Sequence, residues 1–213
     1  MDTCVADMEL FQCWEILMNR RSTYSRRLKF DLVIYLFSEG ATEIDYLEQF
    51  VRQNNKTENV KVIRRKICPD PIILAQSAID WAKNNPLQQH EEIWLIFDDD
   101  GRCDKIRQTF KKIDSSEFNI NIAYNKPCIE IWPLLHNHID NVSNQSQAQS
   151  KLHNIMKSYK HDRCPYFDLS KMPDYEYALT QARSWKTSLN KDPEYTSSKF
   201  AGVYKLTEKI KNV

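Results

Sequence analysis

Apolar positions along the chain predict four β-strands. Residues 32–37 and 93–97 are continuous apolar runs, which are typical of strands buried on both faces of a sheet. Residues 60–64 are a shorter run that we expect nearer the edge of the sheet. Residues 118–124 alternate apolar and polar positions, as a half-buried strand does.

Helical patterns follow each of the first three strands. Apolar residues recur at spacings of three and four over residues 44–51, 72–82 and 106–113. The resulting order βαβαβαβ predicts an α/β domain, with a mostly parallel four-stranded sheet and right-handed crossovers that place helices on its faces.

The two ends of the chain are predicted to add further helices. An amphipathic pattern covers residues 1–20, and after a polar loop at 141–150 helical patterns cover 150–162, 173–190 and 198–211. We therefore expect the C-terminal helices to pack on the core. The predicted parts are an N-terminal helix and basic linker at 1–29, a core at 30–138 and a helical C-terminal region at 139–213.

Composition is that of an ordinary globular chain. Hydrophobic residues make up 41% of the 213 positions and the net charge is +1, so the chain can bury a core and is no general polyanion binder. Six well-separated cysteines without a CxxC pair favour reduced thiols, and no signal-peptide or membrane-spanning pattern appears. We expect a cytoplasmic protein without a membrane segment. Three glycines in all exclude the glycine-rich phosphate loops of Rossmann and P-loop proteins.

Basic residues supply candidate contacts to a nucleic acid, which local patches would have to provide. Arg26 and Arg27 belong to the segment before the first strand, which is either a solvated linker or an arm that contacts phosphates. Arg64 and Arg65 at the second strand and Arg102 after the third strand complete this set.

Acidic residues follow two of the buried strands. Glu39 ends the first strand, Glu43 lies in the first turn of the next helix, and strand alternation predicts that Asp98 and Asp100 face the same way after the third strand. Ligands of open α/β sheets bind at this carboxyl edge, and clustered carboxylates favour a hard cation such as Mg²⁺ or Mn²⁺. The four residues are thus candidate ligands of one or two metal ions that act on a phosphodiester. A solvated acidic turn is the alternative.

Three further candidates follow the fourth strand. Lys126 can stabilise charge that develops on a phosphate, and Glu130 or His136 can activate water or protonate a leaving group. Glu130 and His136 are six residues apart, so they share a face only if Pro133 bends the helix between them. A structural role for His136 is the alternative.

Three segments together resemble the signature blocks of RloB-like proteins, which belong to the wider Toprim group. They are Phe-Ser-Glu-Gly-Ala-Thr-Glu at 37–43, Phe-Asp-Asp-Asp at 97–100 and Asn-Lys-Pro-Cys-Ile-Glu-Ile-Trp-Pro-Leu-Leu-His at 125–136. The resemblance extends over residues 30–210. Lys126 and Pro133 depart from it, since the family usually has asparagine and an aliphatic residue at these positions.

The resemblance implies a Toprim fold and metal-dependent cleavage of tRNA or DNA. It also implies a role in bacterial antiphage defence by abortive infection, often beside an ATPase partner. It assigns Glu39 to the catalytic Toprim glutamate, Asp98 and Asp100 to the metal carboxylates, and Glu43 to the second acidic residue of OLD-type nucleases.

Two other functions compete with a nuclease. A phosphatase of the haloacid dehalogenase type also uses Asp-x-Asp, but on its first strand, and it would leave Glu39 without a role. A non-catalytic Toprim-like subunit that scaffolds a defence complex with an ATPase partner is the second alternative. A homodimer formed through the N-terminal helix is a further hypothesis.

Overall fold

A computed structural model describes residues 32–159, 168–186 and 199–213 of the chain, and these residues form a five-stranded sheet. The strands are β1 (Leu32–Ser38), β2 (Val60–Ile67), β3 (Glu91–Asp98), β4 (Ile120–Lys126) and β5 (Phe200–Ala201). Their order in the sheet is β2-β1-β3-β4-β5. The first four strands are parallel, and the fifth pairs antiparallel with the fourth.

Helices cover both faces of this sheet. The helices in the described part are α1 (Ala41–Gln53), α2 (Pro71–Asn84), α3 (Cys103–Asp114), α4 (Ile131–Leu135), α5 (Gln145–Ile155), α6 (Tyr175–Lys186) and α7 (Val203–Lys211), with a 3₁₀ turn at Leu169–Lys171. Helix α2 packs against α3, α1 contacts α7, and the short, fully buried α4 packs against α5 and α6.

The predicted α/β architecture is confirmed. The two continuous apolar runs became the central strands β1 and β3, whose side chains, such as Leu36 and Leu95, are fully buried. The short basic run became the edge strand β2, which is exposed along most of its length. Burial on both faces therefore explains why β1 and β3 lack alternation.

The fifth strand was not predicted. Two residues of β5 pair with β4 inside the segment that we predicted as one helix, 198–211. The pairing brings backbones close, because the Gly202 N–H donates to the carbonyl of Tyr124 at 2.7 Å. A Cβ atom at position 202 would lie only 2.2 Å from that carbonyl oxygen. The absence of a side chain thus lets the C-terminal segment dock on β4.

Other predicted boundaries also moved. The predicted polar loop at 141–150 contains the start of α5, where the Asn144 side chain accepts a hydrogen bond from the N–H of Gln147. This N-cap supplies the helix start that apolar spacing does not reveal. The helix predicted at 150–162 ends at residue 155.

The predicted N-terminal helix and the segment with Arg26 and Arg27 lie outside the described residues. Within the described ranges, each helix is too short or too polar to span a lipid bilayer.

The close approach at Gly202 generates a stability prediction. We expect Gly202→Ala to lower the free energy of unfolding by about 2–3 kcal/mol, because the methyl group must push β5 away from β4. Gly101→Ala is the matched control: no atom lies within 4 Å there, but φ is +71°, so about 1 kcal/mol is expected. Urea unfolding measures both, and equal losses would contradict the steric argument.

Candidate active site

A cavity of about 210 Å³ opens where the parallel strands end, next to β1 and β3. Among the described residues its wall holds five carboxyl groups and one guanidinium group, which lie at or after the ends of β1, β3 and β4. The residues that line the cavity are Glu39, Gly40, Thr42, Glu43, Pro69, Asp98, Asp100, Arg102, Ile129, Glu130 and Gln145.

Glu39 connects the ends of the two central strands. Its N–H donates to the carbonyl of Ile96 at 3.1 Å, which extends the β1–β3 pairing by one residue. Its carboxylate accepts a hydrogen bond from the N–H of Asp98 at 2.9 Å. Burial raises the pKa of Glu39, although the Asp98 N–H and the charge of Arg102 oppose this rise.

Asp98 is the last residue of β3, and its buried carboxylate is held from β4. It accepts hydrogen bonds from the N–H of Ile129 at 3.1 Å and from the Asn125 amide at 3.2 Å. The other end of the Asn125 amide accepts a hydrogen bond from the N–H of Val203, at the start of α7. Asn125 is thus a positioning residue that the sequence analysis did not assign. A polar residue in a buried strand was the available signal.

Asp100 reaches the same cavity as Asp98, but not by strand alternation. The strand ends at Asp98, and Asp100 and Gly101 have φ values of +45° and +71° in a left-handed turn. Asp99 points elsewhere: it accepts hydrogen bonds from the Tyr124 hydroxyl at 2.5 Å and from the N–H of Gly101 at 3.2 Å. The predicted proximity of Asp98 and Asp100 is found, and its predicted reason was wrong.

Glu43 lies in the first turn of α1, as predicted, and is buried. The Ser38 hydroxyl is 3.1 Å from its carboxylate and donates to it. Burial, followed by the charges of Glu130 and Glu39, raises the pKa of Glu43 to about 7. The same causes raise the pKa of Asp98, with burial first and the charges of Glu43 and Glu130 next. These carboxyl groups therefore resist simultaneous ionisation.

Glu130 lies just before α4 and is buried beside the other carboxyl groups. Its carboxylate accepts a hydrogen bond from the Tyr159 hydroxyl and lies 3.5 Å from the amide of Gln149, which donates to it. The C-terminal region thus places a hydroxyl group against the cavity wall. Sequence reasoning missed Tyr159, because no pattern relates it to a residue 29 positions away.

His136 and Lys126 are not brought to this cavity. His136 lines a separate cavity of about 190 Å³ with Phe50 and Lys211, where burial lowers its pKa to about 4. Pro133 does not bring Glu130 and His136 together, because the two residues line different cavities. This proline lies in the first turn of α4, where its missing N–H costs nothing. Lys126 lies 4.0 Å from the carboxylate of Asp99.

The candidate nucleic-acid contacts lie in two different places. Arg64 forms an ion pair of 3.7 Å with Asp45, and the Arg65 guanidinium lies 4.9 Å from the ring centroids of Tyr35 and Trp81. Both are on the edge strand, outside the cavity wall. Arg102 is inside it, 2.8 Å from the carboxylate of Glu39.

A comparison with models of protein families finds a match to the family described as RloB-like protein, over residues 34–210. The match covers more than four fifths of the chain. The chain belongs to the RloB-like family. The matched range begins within β1 and ends in the last turn of α7, so it contains all five carboxyl groups of the cavity. No curated protein and no solved structure matches the chain.

The cavity of this RloB-like protein has donor atoms that suit a divalent metal ion, but these atoms are not spaced as metal ligands. Its donors are carboxylate oxygens, which are the ligands that Mg²⁺ and Mn²⁺ prefer. In the described ranges, however, no group of three or more His, Cys, Asp or Glu residues is arranged to hold a metal ion. Arg102 instead lies between Glu39 and Asp100.

The raised pKa of Glu43 generates a pH prediction. A carboxyl pKa that is higher in the folded state stabilises the fold below about pH 4.5, and this contribution disappears as the pH rises through about 7. We expect the free energy of unfolding of Glu43→Gln, relative to the parent, to rise on the order of 2 kcal/mol from pH 5 to pH 8. Urea unfolding in EDTA measures this difference. Glu48→Gln, at a partly exposed glutamate of the same helix, is the control. A pH-independent difference for Glu43→Gln would contradict the assignment.

The lowered pKa of His136 has the opposite sign. A neutral buried imidazole stabilises the fold above about pH 6.5, and this contribution is lost as the pH falls through about 4. We expect His136→Phe to flatten the acid limb of the stability curve and to leave the carboxylate cavity intact. Unfolding between pH 4 and pH 7 tests this, and an unchanged acid limb would be the contrary result.

Proposed function

We propose that this protein is a metal-dependent Toprim nuclease that cleaves phosphodiester bonds of tRNA or DNA. In this proposal it is a toxic effector of antiphage defence by abortive infection and acts in the cytoplasm. The observation that carries the proposal is the gathering of five carboxyl groups into one cavity at the carboxyl edge of a parallel sheet. Such a set of like charges favours a bound cation.

The order of the acidic residues supports the Toprim assignment. Glu39 follows β1, and Asp98 and Asp100 follow β3, which is the neighbour of β1 in the sheet. Adjacent parallel strands therefore present the glutamate and the Asp-x-Asp pair to one space, as the resemblance implies. The haloacid dehalogenase alternative finds no support here, because its nucleophile would belong to the first strand.

Glu39, Glu43, Asp98 and Asp100 would hold Mg²⁺ or Mn²⁺. A bound metal of this kind polarises a phosphoryl oxygen and lowers the pKa of a bound water molecule. Arg102 adds a guanidinium group in the wall of the same cavity, where it can contact a phosphate oxygen. Glu130 is the remaining carboxyl group and could transfer a proton; its carboxylate accepts a hydrogen bond from the Tyr159 hydroxyl.

Lys126 and His136 have no part in this proposed chemistry. Lys126 faces Asp99, and His136 lies in a different cavity. We assign His136 a structural role instead, which was the alternative in the sequence analysis.

The edge strand β2 favours the approach of a nucleic acid from one side. Its exposed end carries Arg64, Arg65 and Lys66, and the chain passes from there to Pro69 in the cavity wall. A phosphate backbone along β2 would thus lead to the carboxyl groups. Arg26 and Arg27 precede β1 and remain predicted contacts outside the described residues.

A non-catalytic subunit is the second candidate, in which the domain scaffolds a defence complex with an ATPase partner. The position of Arg102 favours it, because an arginine that already pairs with Glu39 and Asp100 helps the acidic cluster to persist without a metal. The two candidates differ in whether removal of one carboxylate changes cleavage.

Asp98→Asn provides the test. It keeps the size of the side chain and removes the negative charge, so we expect metal-dependent cleavage of total tRNA or plasmid DNA to fall roughly a hundredfold or more. Cleavage is measured with Mg²⁺, Mn²⁺ or EDTA, for the purified protein and during phage infection. Asp80→Asn, on the exposed face of α2, is the control. Undiminished phage-triggered toxicity in Asp98→Asn would overturn the nuclease and favour the scaffold.

A further inference from the structure

One nitrogen of Arg102 is surrounded by oxygen atoms. Its Nη2 lies 2.8 Å from both carboxylate oxygens of Glu39, 3.2 Å from the backbone oxygen of Asp98 and 3.2 Å from Oδ2 of Asp100. Four oxygens from three residues thus converge on a single atom. All three residues line the carboxylate cavity.

The rest of the guanidinium group is used unevenly. Nη1 donates to the carbonyl of Pro69 at 2.7 Å, whereas Nε is buried and has no hydrogen-bond partner in the described part of the chain. An arginine that recognises a carboxylate by shape normally uses two nitrogens against two oxygens. Here Nη2 contacts four oxygen atoms and the Nε–H contacts none among the described residues. This pattern indicates that Nη2 occupies the position of a compact cation.

Oxygen shells of this composition are also metal sites. Carboxylate and backbone carbonyl oxygens coordinate Mg²⁺ at about 2.0–2.1 Å and Ca²⁺ at about 2.3–2.6 Å. The shell around Nη2 is wider, at 2.8–3.2 Å. Nη2 and a metal ion would therefore require the same oxygens at different distances.

We propose that Arg102 is a built-in counter-ion of the cavity, and that a divalent metal ion binds only when its guanidinium group leaves Glu39 and Asp100. This inference rests on the proposed function, which supplies the metal. It adds that Arg102 offsets part of the negative charge of the acidic cluster in the metal-free protein. Metal affinity is correspondingly lower than the five carboxyl groups alone would give, because the contacts of Arg102 must first be broken.

Removal of the guanidinium group should strengthen metal binding. Isothermal titration calorimetry with Mn²⁺ is expected to show roughly tenfold tighter binding for Arg102→Gln than for the parent. Arg52→Gln is the matched control, because Arg52 also pairs with a glutamate but lies exposed on α1. Its affinity should equal that of the parent. Asp98→Asn identifies the site, since binding at this cavity must weaken in that variant.

A second measurement separates displacement from simple charge repulsion. The Nε–H signal of Arg102 in the parent protein, assigned by its absence from the Arg102→Gln spectrum, is followed by NMR during titration with Mg²⁺. Displacement predicts that this buried N–H becomes exposed to solvent as the site fills. Should Arg102→Gln fail to fold, Arg102→Lys serves for the assignment and the titration of the parent still decides.

The outcomes distinguish the two proposals. If Mn²⁺ binding requires Asp98 but the parent and Arg102→Gln have equal affinities, the counter-ion role of Arg102 is overturned and the metal site stands. Tighter binding with an unmoved Nε–H signal would also overturn displacement. If neither the parent nor Arg102→Gln shows Mn²⁺ binding that requires Asp98, both this inference and the metal-dependent nuclease are overturned.

Discussion

Mutual repulsion of carboxyl groups that share one small cavity is the constraint on which the site depends. Glu43 and Asp98 are almost fully buried, and burial and neighbouring charges both raise their pKa values. Such groups persist in a fold only when protons, hydrogen-bond donors or cations compensate them. Several neighbours of the cluster provide such compensation.

The neutral donors come from the loops and from the C-terminal region. The N–H groups of Asp98 and Ile129 donate to carboxylates, and the Ser38 hydroxyl does the same for Glu43. Asn125 connects this layer to Val203 and thus to the segment that docks through Gly202. The C-terminal region therefore does more than cover the sheet, because it also orients a carboxylate of the cavity.

The cationic compensation comes from Arg102, which follows the aspartate turn directly. A turn with two left-handed residues returns the chain toward the cavity, so that Arg102 reaches both Glu39 and Asp100. This arrangement is consistent with the proposed nuclease and with a non-catalytic subunit, and it makes the position of one guanidinium group the physical difference between them.

The sequence by itself determined the α/β class, the central position of β1 and β3 and the acidic residues at their ends. Continuous apolar runs can be buried only between two layers of helices, and parallel strands bring their carboxyl ends to one edge. Membership of the RloB-like family was also predictable from the sequence, because three short segments in the family's order resemble its signature blocks.

Only the tertiary structure decided which candidates meet. Glu130 reaches the carboxyl cluster while His136, six residues later, enters another cavity, because the short α4 turns the two side chains to different neighbours. Asn125, Tyr159 and Gly202 act through partners that are distant in sequence, which local periodicity cannot relate. Arg102 was predicted as a contact to nucleic acid, and the structure places it between Glu39 and Asp100, which are close together only after β1 and β3 pair.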